Sequence, residues 1–273
     1  MKLSINTWSF NSGTIKEKMA LAKRAEFDGI ELTLNETGEL GLDASDAELA
    51  SYKNYAGEIG LPIHCLATGL YWPYPFSSGD AAVRDKAVSI ALTQLKFAKA
   101  LGADAILVVP GAVGVDFLQG GGTVSYEIAY DRALEGMNKI KKTAEELKIS
   151  VGIENVWNKF LLSPLEMRDF IDKINSPYAR AYFDVGNILA YGYPEQWIKI
   201  LGSRICKVHV KDYKRGSHDF VDLLAGDVDW PAVNAALKET GYDGWVTAEM
   251  GCYRYFNEQM VYRTAAAMKE IFI

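Results

Sequence analysis

The feature that most constrains this chain is an alternation. Short runs rich in β-branched and apolar residues are each followed by a longer stretch of helical period, eight times from one end to the other. The strand-like runs are KLSINTW (2–8), GIELTL (29–34), PIHCLA (62–67), AILVVP (105–110), SVGIEN (150–155), RAYFDV (180–185), ICKVHVK (205–211) and WVTAEM (245–250). Strands separated by helices run parallel, because the crossover helix returns the chain to start the next strand at the same end. Helical period is clearest at 14–26, where Ile15, Met19, Ala22 and Ala25 share a face, and at 130–148, where Leu134, Met137, Ile140, Ala144 and Leu147 do. Ser163-Pro164 and Asp229-Trp230-Pro231 place a capping side chain ahead of a proline in a first turn. Gly60, Gly102 and Gly241 stand where helices should stop before the next strand.

Eight such units in 273 residues predict an α/β fold of the (β/α)8 TIM-barrel type, for which about 250 residues is typical. No linker, low-complexity tract or shift of composition divides the chain, so one domain spanning 1–273 is expected. An open doubly wound sheet of eight strands is the structural alternative. A formal charge of -6 argues against nucleic acid or an anionic membrane as partner, since neither would be attracted. The longest apolar stretch, AILVVPGAVGV (105–115), is broken by Pro110, Gly111 and Gly114 and is too short to cross about 30 Å of hydrocarbon. The amino-terminal MKLSINTWSF has no apolar signal core, and a cytoplasmic protein is expected. Cys65, Cys206 and Cys252 are far apart and without a CxxC, which suggests reduced thiols and no sulfur-bound zinc.

A TIM barrel works at the carboxyl-terminal ends of its strands, so polar residues that end apolar runs are the ones to collect. Glu154, Asp184, His209 and Glu249 end the fifth, sixth, seventh and eighth runs. A single acid in such a place is more often a helix cap or an ion-pair partner. Three carboxylates and an imidazole converging from successive strands would repel unless a cation sat among them. One divalent metal ion is therefore expected. Oxygen-rich donors with one nitrogen favour Mn²⁺ first, with Mg²⁺, Co²⁺ or Zn²⁺ as alternatives. The longest loops, 68–79 and 111–124, follow the third and fourth strands.

The segments IENVWNKFLLSP, YFDVGN, VHVKD, GDVDW and TAEM, in this order and spacing, resemble the sugar phosphate isomerase/epimerase family of xylose isomerase-like TIM barrels. DVGN and VHVKD are nearest to its L-ribulose-5-phosphate and L-xylulose-5-phosphate 3-epimerases, and D-tagatose 3-epimerase is somewhat further away. The resemblance implies that Glu154, Asp184, His209 and Glu249 hold the metal and that Glu154 and Glu249 are the catalytic acid/base pair. Such an enzyme epimerises C3 of a ketose or ketose phosphate through a cis-enediolate. It also implies a substrate contact for Asn187, where the tagatose branch carries His, and for Arg215, six residues after His209. His64, read as ending the third strand, Asn158, and the aromatic residues Trp8, Tyr71, Trp72 and Trp157 are further candidates to touch the sugar. Lys214, Arg215 and Arg254 keep a phosphate open, and GGGT at 120–123 is a weaker anion-site candidate. Relatives of this kind often form homo-oligomers.

Other chemistries fit the same floor of residues: aldose-ketose or hydroxypyruvate isomerisation, an inosose dehydratase-like lyase, or a non-catalytic sugar-binding barrel. Endonuclease IV, of the same barrel family, needs many more histidines than the 3 present.

Overall fold

The structure, a computed structural model, describes residues 1–118 and 122–273. Gly120 and Gly121, half of the GGGT segment, lie outside the described residues. The chain runs β1 (Lys2–Asn6), α1 (Ile15–Arg24), β2 (Gly29–Leu34), α2 (Asp46–Ile59), β3 (Ile63–Thr68), α3 (Ala81–Leu101), β4 (Ala105–Val108) and α4 (Tyr126–Leu147). It continues with β5 (Ser150–Glu154), α5 (Pro164–Ile174), β6 (Ala179–Asp184), α6 (Val185–Ile188), α7 (Pro194–Leu201) and β7 (Ile205–Val210). The last part holds β8 (Asp212–Lys214), β9 (Asp219–Val221), α8 (Trp230–Glu239), β10 (Trp245–Ala248) and α9 (Asn257–Phe272). Eight parallel strands close in the order β1-β10-β7-β6-β5-β4-β3-β2, so the open-sheet alternative is ruled out. Strands β8 and β9 form a separate antiparallel hairpin in the loop after β7, which strand-helix alternation does not announce.

The helices are set by the local signals. Ile15, Met19, Ala22 and Ala25 are buried against the barrel, and Thr14 and Glu17 form a capping box ahead of them. Ser163 accepts from the Glu166 N–H at the start of α5, and Asp229 from the Ala232 N–H at the start of α8. Gly60 and Gly102 close α2 and α3 at φ of 62° and 86°, a left-handed conformation that costs glycine little.

Residues two apart on a strand face the same side, and in this barrel the inward side is unusually polar. Ser4, His64, Thr247 and Lys207 are buried in its amino-terminal half, and Asn6, Glu31, Tyr182 and His209 lie above them. TIM-barrel interiors are more often layers of branched aliphatic residues. Here hydrogen bonds replace that packing, and each buried polar group must find a partner or cost stability.

The loop after β7 is organised by one carboxylate. Asp212, fully buried, accepts from the backbone N–H of Tyr213, Leu224 and Val228 and from the Trp230 indole at 2.9–3.2 Å. Gly226 lies so close that a Cβ there would meet Asp212 Oδ1 at 2.1 Å and the Tyr213 carbonyl at 2.7 Å. Gly226→Ala is therefore expected to lower unfolding stability by about 1–3 kcal/mol, read by urea denaturation. A midpoint equal to that of the parent would show that this loop gives way at no cost.

Candidate active site

The four strand-end residues converge. Glu154 is the last residue of β5, Asp184 the last of β6, His209 the fifth of the six residues of β7, and Glu249 the residue that follows β10. Their ligand atoms all lie within 4.8 Å of one another. His209 Nδ1 is 3.0 Å from Glu154 Oε1, 3.9 Å from Asp184 Oδ2 and 3.8 Å from Glu249 Oε2. Asp184 is completely buried, and its Oδ2 takes part in no hydrogen bond.

Two further residues complete the cluster, and neither stands out as a ligand in the sequence. Glu31, inside β2, is fully buried and bonded to His209 Nε2 at 2.7 Å. Its carboxylate also accepts from the Tyr182 hydroxyl at 2.6 Å and from the Asn6 amide. Held this way, the imidazole turns Nδ1 toward the three other carboxylates, the arrangement that fixes a ligating histidine through its second nitrogen. Lys211 Nζ sits 3.1 Å from Asp184 Oδ2 and bonds to Glu249. The only signal for Glu31 is a charge in the middle of an apolar strand.

Four carboxylates thus face at most two positive charges, and the groups respond. Burial, with the like charges of Glu249 and Asp184 added, pushes the Glu154 carboxyl up to about 7 against the pull of His209. Burial likewise raises Asp184 to about 6, with Lys211 opposing. Burial acts on Glu249 too, but Lys211 and His209 outweigh it and hold this carboxyl below its ordinary value. Glu31 is buried as deeply, yet the charge and hydrogen bond of His209 bring it down to about 2. A divalent cation fits this set: the donors are hard and close, one buried carboxylate oxygen makes no hydrogen bond and meets only the Lys211 ammonium, and the charge deficit is of the right sign and size.

The ends of the strands are tied together. The Asn155 side chain donates to the Asp184 carbonyl at 2.8 Å and accepts from the Asp184 N–H at 2.9 Å. Asn187 donates from its amide to the Asn155 carbonyl at 3.0 Å, and its backbone N–H bonds to Asp184 Oδ1 at 2.7 Å. Above the cluster opens a cavity of about 490 Å³ that Glu154, Glu249, Asn187 and Lys211 line together with Trp8, Trp72 and Trp157.

Several candidate substrate residues are elsewhere. His64 does not end its strand: it is the second residue of β3, in the amino-terminal half of the barrel, bonded to Ser4 Oγ at 2.7 Å and stacked on Trp245 at 4.4 Å. Burial, with Lys207 added, keeps its pKa well below the ordinary value. Asn158 spends its amide on the Gly111 carbonyl and the Phe160 N–H. Arg215 is exposed, donates to the Leu189 and Gly192 carbonyls and lies over the Tyr193 ring. None of these three lines the cavity. Tyr71 is buried with its hydroxyl on Gln94, while Trp8, Trp72, Trp157 and Asn187 do line it.

A closed parallel barrel with carboxylates and a histidine gathered at its carboxyl-terminal mouth defines a xylose isomerase-like architecture. The sequence pattern described as Xylose isomerase-like TIM barrel matches residues 19–271, and the chain belongs to that family. It is 27% identical over 242 residues to the L-ribulose-5-phosphate 3-epimerase UlaE of Salmonella paratyphi C (strain RKS4594), a match covering 86% of this chain and 81% of the relative. The same enzyme of Escherichia coli O157:H7 (strain EC4115 / EHEC) is 27% identical over 245 residues, with the same coverage. These relatives are isomerases of the epimerase type. Among solved structures, L-ribulose 3-epimerase superposes with a TM-score of 0.82 at 17% identity over 98% of this chain and 93% of the other. D-psicose 3-epimerase of Clostridium cellulolyticum H10 gives 0.81 at 18% identity, over 99% and 98%. Among the described residues no helix is long and apolar enough to cross a membrane.

Glu31→Gln keeps the shape of the side chain and removes its charge, and is expected to weaken Mn²⁺ binding about 10–100-fold in a calorimetric titration. Unchanged affinity would mean that His209 is oriented without it. Glu154 and Asp184 hold protons to higher pH when folded, so across 4.5 to about 7 for Glu154 and 3.8 to about 6 for Asp184, a combined window of 3.8 to about 7, the native state binds extra protons. Stability from these two groups is full below that window and is lost as pH rises through it. Added Mn²⁺, which needs both carboxylates ionised, is expected to raise the melting temperature more at about pH 7.5 than at about pH 5.5. Equal shifts at the two pH values would contradict this.

Proposed function

We propose that this protein epimerises a ketose at C3, with a divalent metal ion, Mn²⁺ first in preference, held by Glu154, Asp184, His209 and Glu249. The observation that carries the reading is that two carboxylates from well-separated strands, Glu154 on β5 and Glu249 after β10, belong to one donor cluster and line one cavity. The names of the 27% identical relatives add to it.

A cation in that cluster would acidify the hydrogen next to a ketone and offset charge as it develops on the carbonyl oxygen. The chain's own residues do the rest. One of Glu154 and Glu249 removes the C3 proton, and the other delivers a proton to the opposite face of the same carbon. The two have different partners, His209 for Glu154 and Lys211 for Glu249, so each is fixed in place without the other. Asn187, anchored through Asn155, presents a neutral polar group at the wall, and Trp8 closes the side nearest His209, its ring edge-on at 6.5 Å.

With Mn²⁺-loaded protein in deuterium oxide and a panel of ketopentoses and ketohexoses, deuterium should enter C3 together with the epimer, followed by NMR and mass spectrometry. Deuterium at C1 would instead mean aldose-ketose isomerisation. Glu154→Gln and Glu249→Gln are each expected to lower C3 exchange by at least ~10²-fold while sugar binding persists. Full turnover in either variant would refute the two-base scheme.

A further inference from the structure

Resting on the epimerase reading of this cavity, we infer that the substrate is an uncharged ketose and that the site rejects sugar phosphates. The argument starts from the charges available. Among the described residues, the only cationic side chain lining the cavity is Lys211. Its ammonium is engaged by Asp184 and Glu249 and lies over the Phe220 ring at 5.0 Å. Among the described lining residues no other cation remains to pair with an anionic group of the substrate.

Of the other cations near the mouth, Lys214 is exposed and does not line the cavity, and three more are turned to other partners. Arg215 is held by the Leu189 and Gly192 carbonyls and by Tyr193, Arg254 lies over Tyr255 at 5.2 Å, and Lys159 pairs with Asp116 at 2.5 Å. The loop after β7, where many barrels place a phosphate against backbone N–H groups, has those donors filled from within. Asp212 already accepts from three backbone N–H groups and the Trp230 indole there. An internal carboxylate thus takes up these loop donors.

What the walls do offer suits a neutral sugar. Trp72 meets Phe117 edge-on at 5.1 Å and Trp157 stacks on Phe220 at 4.8 Å, all four facing the cavity. Phe117 and Phe220 are 57% and 43% exposed, large apolar surfaces left uncovered at the mouth. Aromatic faces of this kind pack on the CH side of a sugar, whereas a phosphate dianion set against them, beside a carboxylate cluster, would be buried without a counter-charge.

The test uses wild-type protein loaded with Mn²⁺ and two matched pairs, L-ribulose with L-ribulose 5-phosphate and D-fructose with D-fructose 6-phosphate. Binding is read by quenching of tryptophan fluorescence, independently of turnover, and kcat/KM by deuterium entry at C3. Free sugars are expected to bind and react at least ~tenfold better than their phosphates, a modest part of what an unpaired buried charge costs. Phosphates that bind or react equally well or better would overturn the inference and leave the epimerase reading in place. Tighter binding of free sugars without exchange at C3 in any of them would support it and remove the epimerase reading instead.

Discussion

Everything at the mouth of this barrel depends on one buried contact, the 2.7 Å bond between Glu31 and His209 Nε2. Both residues are fully buried, and each charge would be costly alone. Together they set the ring angle that turns Nδ1 toward Glu154, Asp184 and Glu249. Glu31 is itself held by Asn6 and Tyr182, so four strands, β1, β2, β6 and β7, contribute to the orientation of one imidazole. That network occupies the space that aliphatic layers fill in most barrels of this type. A polar core specifies geometry more sharply than an oily one, because a misplaced donor is left unsatisfied.

From this core the order passes outward through short polar links. Asn155 and Asp184 exchange backbone and side-chain bonds between β5 and β6, and Asn187 adds a third link to the same carbonyl frame. Trp157 closes the group by donating its indole N–H to the Asn187 carbonyl at 2.9 Å. The wall of the cavity is thus continuous with its floor. Asp212 does for the β8–β9 hairpin what Asn155 does for the strand ends: a single side chain collects the donors of a long loop. Rigid strands carry the carboxylate and imidazole cluster, and loops pinned by buried polar groups carry the walls, which lets pocket shape change without disturbing that cluster.

Much of the arrangement was legible residue by residue. Glu154, Asp184, His209 and Glu249 were found because each ends an apolar run, and the end of a run fixes depth along the barrel. Asn187, to which the resemblance pointed, and Trp8, at the end of the first run, line the cavity above them. His64 stands inside its run and not at its end: β3 goes from Ile63 to Thr68, which puts His64 in the lower half of the barrel and outside the cavity. Asn158 and Arg215 lie off the cavity for a different reason. Both lie in loops after the right strands, yet local carbonyls and amides take up their donors, and nothing in a linear pattern says which polar group a loop will consume. Glu31 and Lys211 were passed over because one sits inside a strand and the other follows a residue already assigned.

The eight-fold alternation, the helix ends and the four polar groups at the strand ends are local properties of the chain, because hydrophobic period, capping chemistry and strand length act over a few neighbouring residues. Tertiary structure decided who meets whom. Glu31 and His209 are 178 residues apart, and His64 and Thr247 are 183 apart. Closure of the barrel brings such pairs to hydrogen-bonding distance, and with them it settles which charges are spent inside the protein and which face the cavity.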